Sequence, residues 1–143
     1  WRMATIAVVY LLLYFGFGMM VAWQNPALRT LYGEGANQQV FNYATLIPFQ
    51  ILRSGLWVLF LLPILRMDRG GLWQTALIAG LWLALPMNMF HAVPNPFMPD
   101  PSVRLSHFIE TTTSNFLFGV AITWLLAWRP VQAGLSRPVV RAH

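Results

Sequence analysis

Residues 3–23 read MATIAVVYLLLYFGFGMMVAW, a stretch of 21 residues without a charged side chain. A helix of this length is about 30 Å long, which matches the hydrocarbon core of a bilayer. The helix-breaking sequence Gln24-Asn25-Pro26 follows it. The stretch is longer than the core of a signal peptide, and no small-residue cleavage motif comes after it. We therefore expect a membrane-spanning helix here.

The composition of the whole chain favours the same class of protein. The 143 residues are 57% hydrophobic and 9% charged, with a mean hydropathy of +0.56, whereas a soluble domain carries roughly 25% charged residues. The absence of Cys excludes disulfides, thiol catalysis and Cys-ligated metal sites. The basic charge comes from Arg alone and forms no stripe interleaved with aromatic residues, so we expect contact with lipid headgroups and no nucleic-acid partner.

Three further apolar stretches approach the length of a membrane span, at residues 43–65, 72–90 and 103–128. Together with residues 3–23 they predict an all-α integral membrane bundle of four transmembrane helices. This bundle would occupy residues 1–128, and residues 129–143 would form a basic tail. The glycines of the spans are expected to be notches for close helix packing, and they are Gly16, Gly18, Gly55, Gly80 and Gly119.

The distribution of Arg predicts the orientation of this bundle. With four spans, six Arg share the side of the two termini, namely Arg2, Arg66, Arg69, Arg129, Arg137 and Arg141. The other side holds Arg29 and Arg104. Because positive residues in short loops stay in the cytoplasm, both termini are predicted to be cytoplasmic. We expect a multi-pass protein of the bacterial inner membrane.

Two spans carry a charged residue, and this is the main indication of a functional site. Arg53 lies ten residues into the second span and Glu110 seven residues into the fourth, at depths of about 15 Å and 10 Å from the outer side. Asn88 and His91 close the third span at that side, and His107 comes one helical turn before Glu110. Since ionisable groups at membrane depth are costly, this outer-leaflet cluster is a functional-site hypothesis.

Helical spacing groups the polar residues of each span on one face. His107, Glu110, Thr111 and Ser114 share a face of the fourth span, and Gln50, Arg53 and Ser54 share a face of the second. We predict that these faces meet and that Arg53 pairs with Glu110. The candidate ion-pair or substrate-binding residues are therefore Arg53, Glu110, His107, Gln50, Asn88, Thr111 and Ser114. Alternatively, the pair only fixes the helix register, or Arg53 extends toward the headgroups.

Metal and haem sites are further alternatives. His91, His107 and Glu110 could form a His2Glu set for a divalent metal, although the chain has no HExxH motif. His91 and His107 could instead ligate a haem from two adjacent spans.

Two classes of function follow. In the first, the chain is a non-catalytic subunit or assembly component of a larger membrane complex, bound to other membrane subunits or to copies of itself. In the second, an oligomer transports a proton-coupled or anionic solute, with Glu110 as the titrating group and Arg53 as its counter-charge. No nucleophile elbow, P-loop or dinucleotide fingerprint is present, so we do not expect an enzyme.

Overall fold

The computed structural model describes residues 1–33, 42–86 and 88–127, without the side chains of residues 31–33. The helices are α1 (Arg2–Met20), α2 (Pro26–Gly33), α3 (Tyr43–Met67), α4 (Leu72–Ala84), α5 (Met89–Ala92) and α6 (Pro101–Ala127). A single 3-10 turn, Ala22–Gln24, follows α1. These ranges contain no β-strand, so the prediction of an all-helical protein is confirmed. The predicted basic tail lies outside the described residues.

Two helical segments are long and apolar enough to cross a membrane. They are Arg2–Gln24, which comprises α1 and the 3-10 turn, and Tyr43–Met67, which is α3. The 13 residues of α4 are apolar, but a helix of that length is only about 20 Å long, less than the roughly 30 Å of a bilayer core. The 27 residues of α6 are long enough, although their first half is rich in polar side chains.

The long helices pack antiparallel along the chain. The Tyr10 ring of α1 packs against the Phe118 ring of α6, with 4.6 Å between the ring centroids and 53° between the ring planes. At the start of α1, Arg2 Nη1 donates to the Leu126 carbonyl near the end of α6 at 3.1 Å. At the other end of α1, the Phe15 ring lies 6.2 Å from the Tyr43 ring of α3. The starts of α3 and α6 therefore lie at the same end of the structure.

One apolar core joins α1, α3, α4 and α6. It comprises Ile6 and Tyr10 of α1, Val58 and Leu61 of α3, Ala79 and Leu83 of α4, and Phe118 and Ile122 of α6. Outside this core the helices remain apolar: Leu12, Leu59, Leu81 and Leu105 are all exposed. An apolar exterior of this extent is typical of a surface that contacts lipid or another protein.

The closest helix contact joins α4 to α6 at two glycines. A Cβ atom on Gly119 would lie 2.6 Å from the Ala79 carbonyl oxygen, and one on Gly80 would lie 2.9 Å from the Phe116 ring. The Trp73 and Trp124 rings meet edge to face further along the same interface, 5.0 Å apart. The expectation that glycines form packing notches is thus confirmed for Gly80 and Gly119, whereas Gly16 and Gly55 have no neighbour within 4 Å.

The structure differs from the sequence prediction in the third span and in the first loop. The third span was predicted to be helical to about residue 90, but α4 ends at Ala84, because Pro86 cannot donate a backbone hydrogen bond. In place of a backbone hydrogen bond, the Asn88 side-chain amide donates to the Ala84 carbonyl at 2.6 Å. In the loop after the first span, the structure contains a helix that was not predicted, α2, which begins at Pro26 and is capped by Asn25 through Ala27 N.

We predict that Gly119→Ala destabilises the protein by about 1–3 kcal/mol, the usual cost of overpacking. The added methyl group would meet main-chain atoms of Ala79 and Gly80, the latter at 2.7 Å. Gly55→Ala is the matched control, because its added methyl group meets nothing within 4 Å. The measurement is the unfolding midpoint, by circular dichroism during titration from mild detergent into dodecyl sulfate. Equal midpoints for the two variants would show that the α4–α6 contact is not close.

Candidate functional site

Buried polar side chains concentrate at the end of the structure where α3 and α6 begin. The buried polar residues are Gln50, Ser54, Asn88, Glu110, Ser114, Asn115 and Thr123. All except Thr123 lie in the first half of α3, directly after α4, or between the start and the middle of α6. Polar groups inside and apolar groups outside are the reverse of a water-soluble protein. We call Arg53, His91, His107, Glu110 and the buried polar residues at this end of the structure the polar cluster.

Glu110 lies at the centre of the polar cluster and is 5% exposed. Its Oε2 atom lies 3.0 Å from His107 Nδ1, one turn earlier on the same helix. Its Oε1 atom faces α1, where it would be 3.6 Å from a Cβ atom on Gly18. This is an ordinary van der Waals distance, so the carboxylate lies directly against α1 at Gly18.

Arg53 is half-buried and contacts an aromatic ring. Its guanidinium carbon lies 5.4 Å from the centroid of the Trp57 ring, one turn later on α3, within the range of a cation–π interaction. Among the described residues no Arg53–Glu110 ion pair is formed; the ion pair there is His107–Glu110. The structure thus differs from the predicted partnership: the carboxylate bonds within α6 and the guanidinium rests on α3.

His91 joins the cluster from α5. Its ring centroid lies 5.8 Å from that of His107, with 34° between the ring planes. The Nδ1 atom of His91 is buried. Burial lowers the pKa of His91, and the nearby His107 lowers it further. A hydrogen bond with the Asn88 backbone acts to raise the pKa of this ring. Arg53 also lowers this pKa and Glu110 raises it, so the charges of α3 and α6 act on the same imidazole.

The smaller polar residues mostly bond to the backbone. Ser54 donates to the Ile51 carbonyl at 2.7 Å, Thr111 to the His107 carbonyl at 2.6 Å and Ser114 to the Thr111 carbonyl at 3.2 Å. Asn88 caps α4 and also accepts a hydrogen bond of 3.5 Å from Asn115. The side chains of Ser54, Thr111, Ser114 and Asn88 are therefore used in hydrogen bonds within or between helices.

Gln50 is the exception among these residues. It is 2% exposed, and its Oε1 atom has no hydrogen-bond partner among the described residues. The buried Oγ1 atom of Thr112 shares this condition. Because an unpaired buried polar atom is costly, these atoms mark places where the described chain leaves bonding capacity unused.

The predicted metal set is close in space but does not form a metal site. Within residues 1–33, 42–86 and 88–127, no group of three His, Asp or Glu side chains is arranged to hold a metal ion. His107 uses its Nδ1 atom toward Glu110. Haem ligation by His91 and His107 stays a prediction.

Sequence reasoning missed several partners in this region. Trp57 follows Arg53 by four residues, so helical spacing could have identified it as a ring beneath the guanidinium. Asn25 was read only as part of a helix stop, but its Nδ2 atom donates to Ser106 Oγ at 2.9 Å and thereby ties the end of α1 to α6. Nothing in the sequence alone indicates that pairing.

The helices and the polar cluster define an all-helical protein with two segments of membrane-spanning length and with buried polar side chains beside its apolar core. A comparison of the chain with protein-family models, with curated proteins and with solved structures found no match. The function must therefore be argued from the residues themselves.

We predict that the stability of the protein depends on pH because His91 titrates. Because the pKa of His91 is below its ordinary value of 6.5 in the folded chain, the unfolded chain binds more protons as the pH falls below about 6.5. Stability should therefore be present at pH 7 and should decrease as the pH falls below about 6.5. In His91→Gln this decrease should be smaller.

The measurement is the thermal unfolding midpoint in detergent at pH 7, 6 and 5. Phe90→Leu is the control, since it changes the neighbouring residue and no titrating group. A decrease in His91→Gln as large as in the unmodified chain would contradict the prediction.

Proposed function

We propose that this chain is a multi-pass protein of the bacterial inner membrane, with four spans and both termini in the cytoplasm. The main support is the apolar exterior: leucines on α1, α3, α4 and α6 are exposed, while Glu110 and Gln50 are buried. An exterior of this kind is stable in lipid and costly in water. The length and composition of α1 and α3 support the same assignment.

The short helix α4 is the weakest of the four spans by length, and its continuation compensates for this. Residues 72–90 comprise α4, the turn that follows it and the start of α5. Asn88 satisfies the Ala84 and Leu83 carbonyls. Irregular backbone at membrane depth is tolerated where its polar groups are bonded within the protein.

The antiparallel packing is consistent with the proposed orientation. Arg2 at the start of α1 bonds to the end of α6, and Arg66 and Arg69 lie at the end of α3 and in the turn before α4. These arginines therefore share one end, which positive-inside placement assigns to the cytoplasm.

Single cysteines test this topology, because the chain has no Cys. We expect Asn95→Cys to react with a membrane-impermeant maleimide in intact spheroplasts, and Gly70→Cys to react only after the membrane is opened. Their positions in the loop after α5 and in the α3–α4 turn place them on opposite sides in the four-span arrangement. Labelling of both residues, or of Gly70→Cys alone, in intact spheroplasts would contradict the orientation.

Within the membrane, we propose that the chain acts as a non-catalytic subunit or assembly component. The hydroxyl groups of Ser54, Thr111 and Ser114 donate to main-chain carbonyls, which is the ordinary role of such residues in helix packing. The large exposed apolar surface offers area for other membrane subunits.

A second function, proton-coupled or anion transport, is favoured by one specific observation. The buried Glu110–His107 pair lies beside His91, so three groups that exchange protons are adjacent. Carboxylate and imidazole chains are typical of proton relays in transporters. In this case Glu110 is the titrating group and Arg53 the counter-charge.

Purification in mild detergent separates the two functions. The assembly function predicts that the chain is recovered with one or more membrane proteins in fixed stoichiometry. The transport function predicts that the chain alone, reconstituted in vesicles, dissipates a pH gradient, and that Glu110→Gln lowers the rate at least about 100-fold by removing the proton carrier.

Asn95→Gln is the matched control, because it also changes one polar side chain but lies in the loop outside the polar cluster. Recovery of the chain by itself, together with rapid proton flux that Glu110→Gln abolishes, would refute the assembly function.

A further inference from the structure

One face of α3 forms a groove that the rest of the described chain leaves open. The groove has a volume of about 250 Å³ and is lined by Phe49, Leu52, Arg53, Leu56, Trp57 and Phe60. The lining residues recur every three or four positions, so they form one helical stripe. Phe49, Leu52, Leu56 and Phe60 are all exposed. We call this stripe the α3 groove.

Arg53 is the one charged residue of the α3 groove. Its guanidinium contacts the Trp57 ring, and within residues 1–33, 42–86 and 88–127 it forms no ion pair. A guanidinium carries five donors and retains its charge. An apolar groove with one unsatisfied cation is complementary to an apolar partner with one anion.

The part of the chain that the structure describes has no spare carboxylate at this depth. The four acidic residues of the whole chain are Glu34, Asp68, Asp100 and Glu110. Glu110 is bonded to His107. Asp68 accepts from Thr75 at 2.6 Å beyond the far end of α3, and Asp100 accepts from the Ser102 backbone at 2.7 Å before α6 begins. Glu34 lies in the loop outside the predicted spans and outside the described residues.

We propose that the α3 groove docks a transmembrane helix of another subunit, and that this helix carries a carboxylate which pairs with Arg53. This inference rests on the proposed assembly function and identifies the surface and the partner's chemistry. The stripe has the i, i+3, i+4, i+7 spacing with which one helix receives another. Pairing removes the cost of an intramembrane cation, and the apolar rim excludes water and lipid headgroups from the pair.

The depth of Arg53 favours a helix over a lipid phosphate. Arg53 lies ten residues after the first residue of α3, about 15 Å along the helix. Phosphate groups lie at the membrane surface, whereas a side chain on a partner helix is available at any depth. A second copy of this chain is a poorer partner, because among the described acidic residues the one inside a helix is Glu110, which is buried.

The test uses the full chain in phosphatidylcholine vesicles at pH 8, with a donor fluorophore on Asn95→Cys. The acceptors are two synthetic leucine-rich helices that differ only in a Glu or a Gln at the depth of Arg53. We expect the Glu helix to bind at least about tenfold more tightly than the Gln helix, since close charge pairs carry such differences. Arg53→Gln should abolish this preference.

Two controls make the result specific. Arg66→Gln removes an arginine near the end of α3 and should retain the preference. Leu52→Trp should block both helices by filling the groove, whereas Leu59→Trp, on an exposed position outside the groove, should not. The Trp variants keep the test decisive if Arg53→Gln fails to fold.

Three outcomes would overturn the inference. The first is equal binding of the Glu and Gln helices. The second is loss of the Glu preference when phosphatidylglycerol is added, which assigns Arg53 to a lipid phosphate. The third is self-association through the groove, seen as a disulfide dimer of Leu52→Cys and not of Leu59→Cys. None of them affects recovery of the chain with stoichiometric partners, so the proposed function is tested separately.

Discussion

Polar atoms inside an apolar helical protein must be satisfied by the protein itself, and this constraint organises the whole structure. Asn88 bonds the carbonyls freed where α4 ends, Ser54 and Thr111 bond carbonyls of their own helices, and Glu110 bonds His107. Where the described chain does not meet the constraint, at Gln50 Oε1 and Thr112 Oγ1, bonding capacity is left for another group. The unsatisfied atoms are therefore as informative as the satisfied ones.

The close approach of α4 and α6 positions the polar cluster. Gly80 and Gly119 bring the two backbones together, and the same register places His91 beside His107 and Asn88 beside Asn115. Larger side chains at the glycines would separate the helices and move α5 away from α6. Packing in the apolar part of the protein thus fixes the distances among its ionisable groups.

Composition and periodicity could predict the helical class and the positions of the long helices, because an apolar run of span length has few alternative structures. They could also place Arg53, His107 and Glu110 in the same half of the predicted bundle. They could not select the partner of Glu110. His107 lies one turn away on the same helix, so that pair forms without fixing a second helix, whereas an Arg53–Glu110 bond requires α3 and α6 to be in register. The end of α4 could not be predicted from Pro86 alone, because α3 continues through Pro48 and Pro63, whereas after Ala84 the Asn88 side chain bonds the freed carbonyls.

The distribution of polarity along the bundle bears on which function is better supported. A transported proton or anion needs polar groups or water on both sides of its binding site. Beyond the polar cluster, toward the end that holds Arg2 and Arg66, the interior is closed by Ile6, Leu61 and Ile122, each 0% exposed. The buried Thr123 in that region donates to the Gly119 carbonyl. Transport would therefore require an oligomer or a rearrangement, whereas helix docking at Arg53 uses the arrangement as it stands.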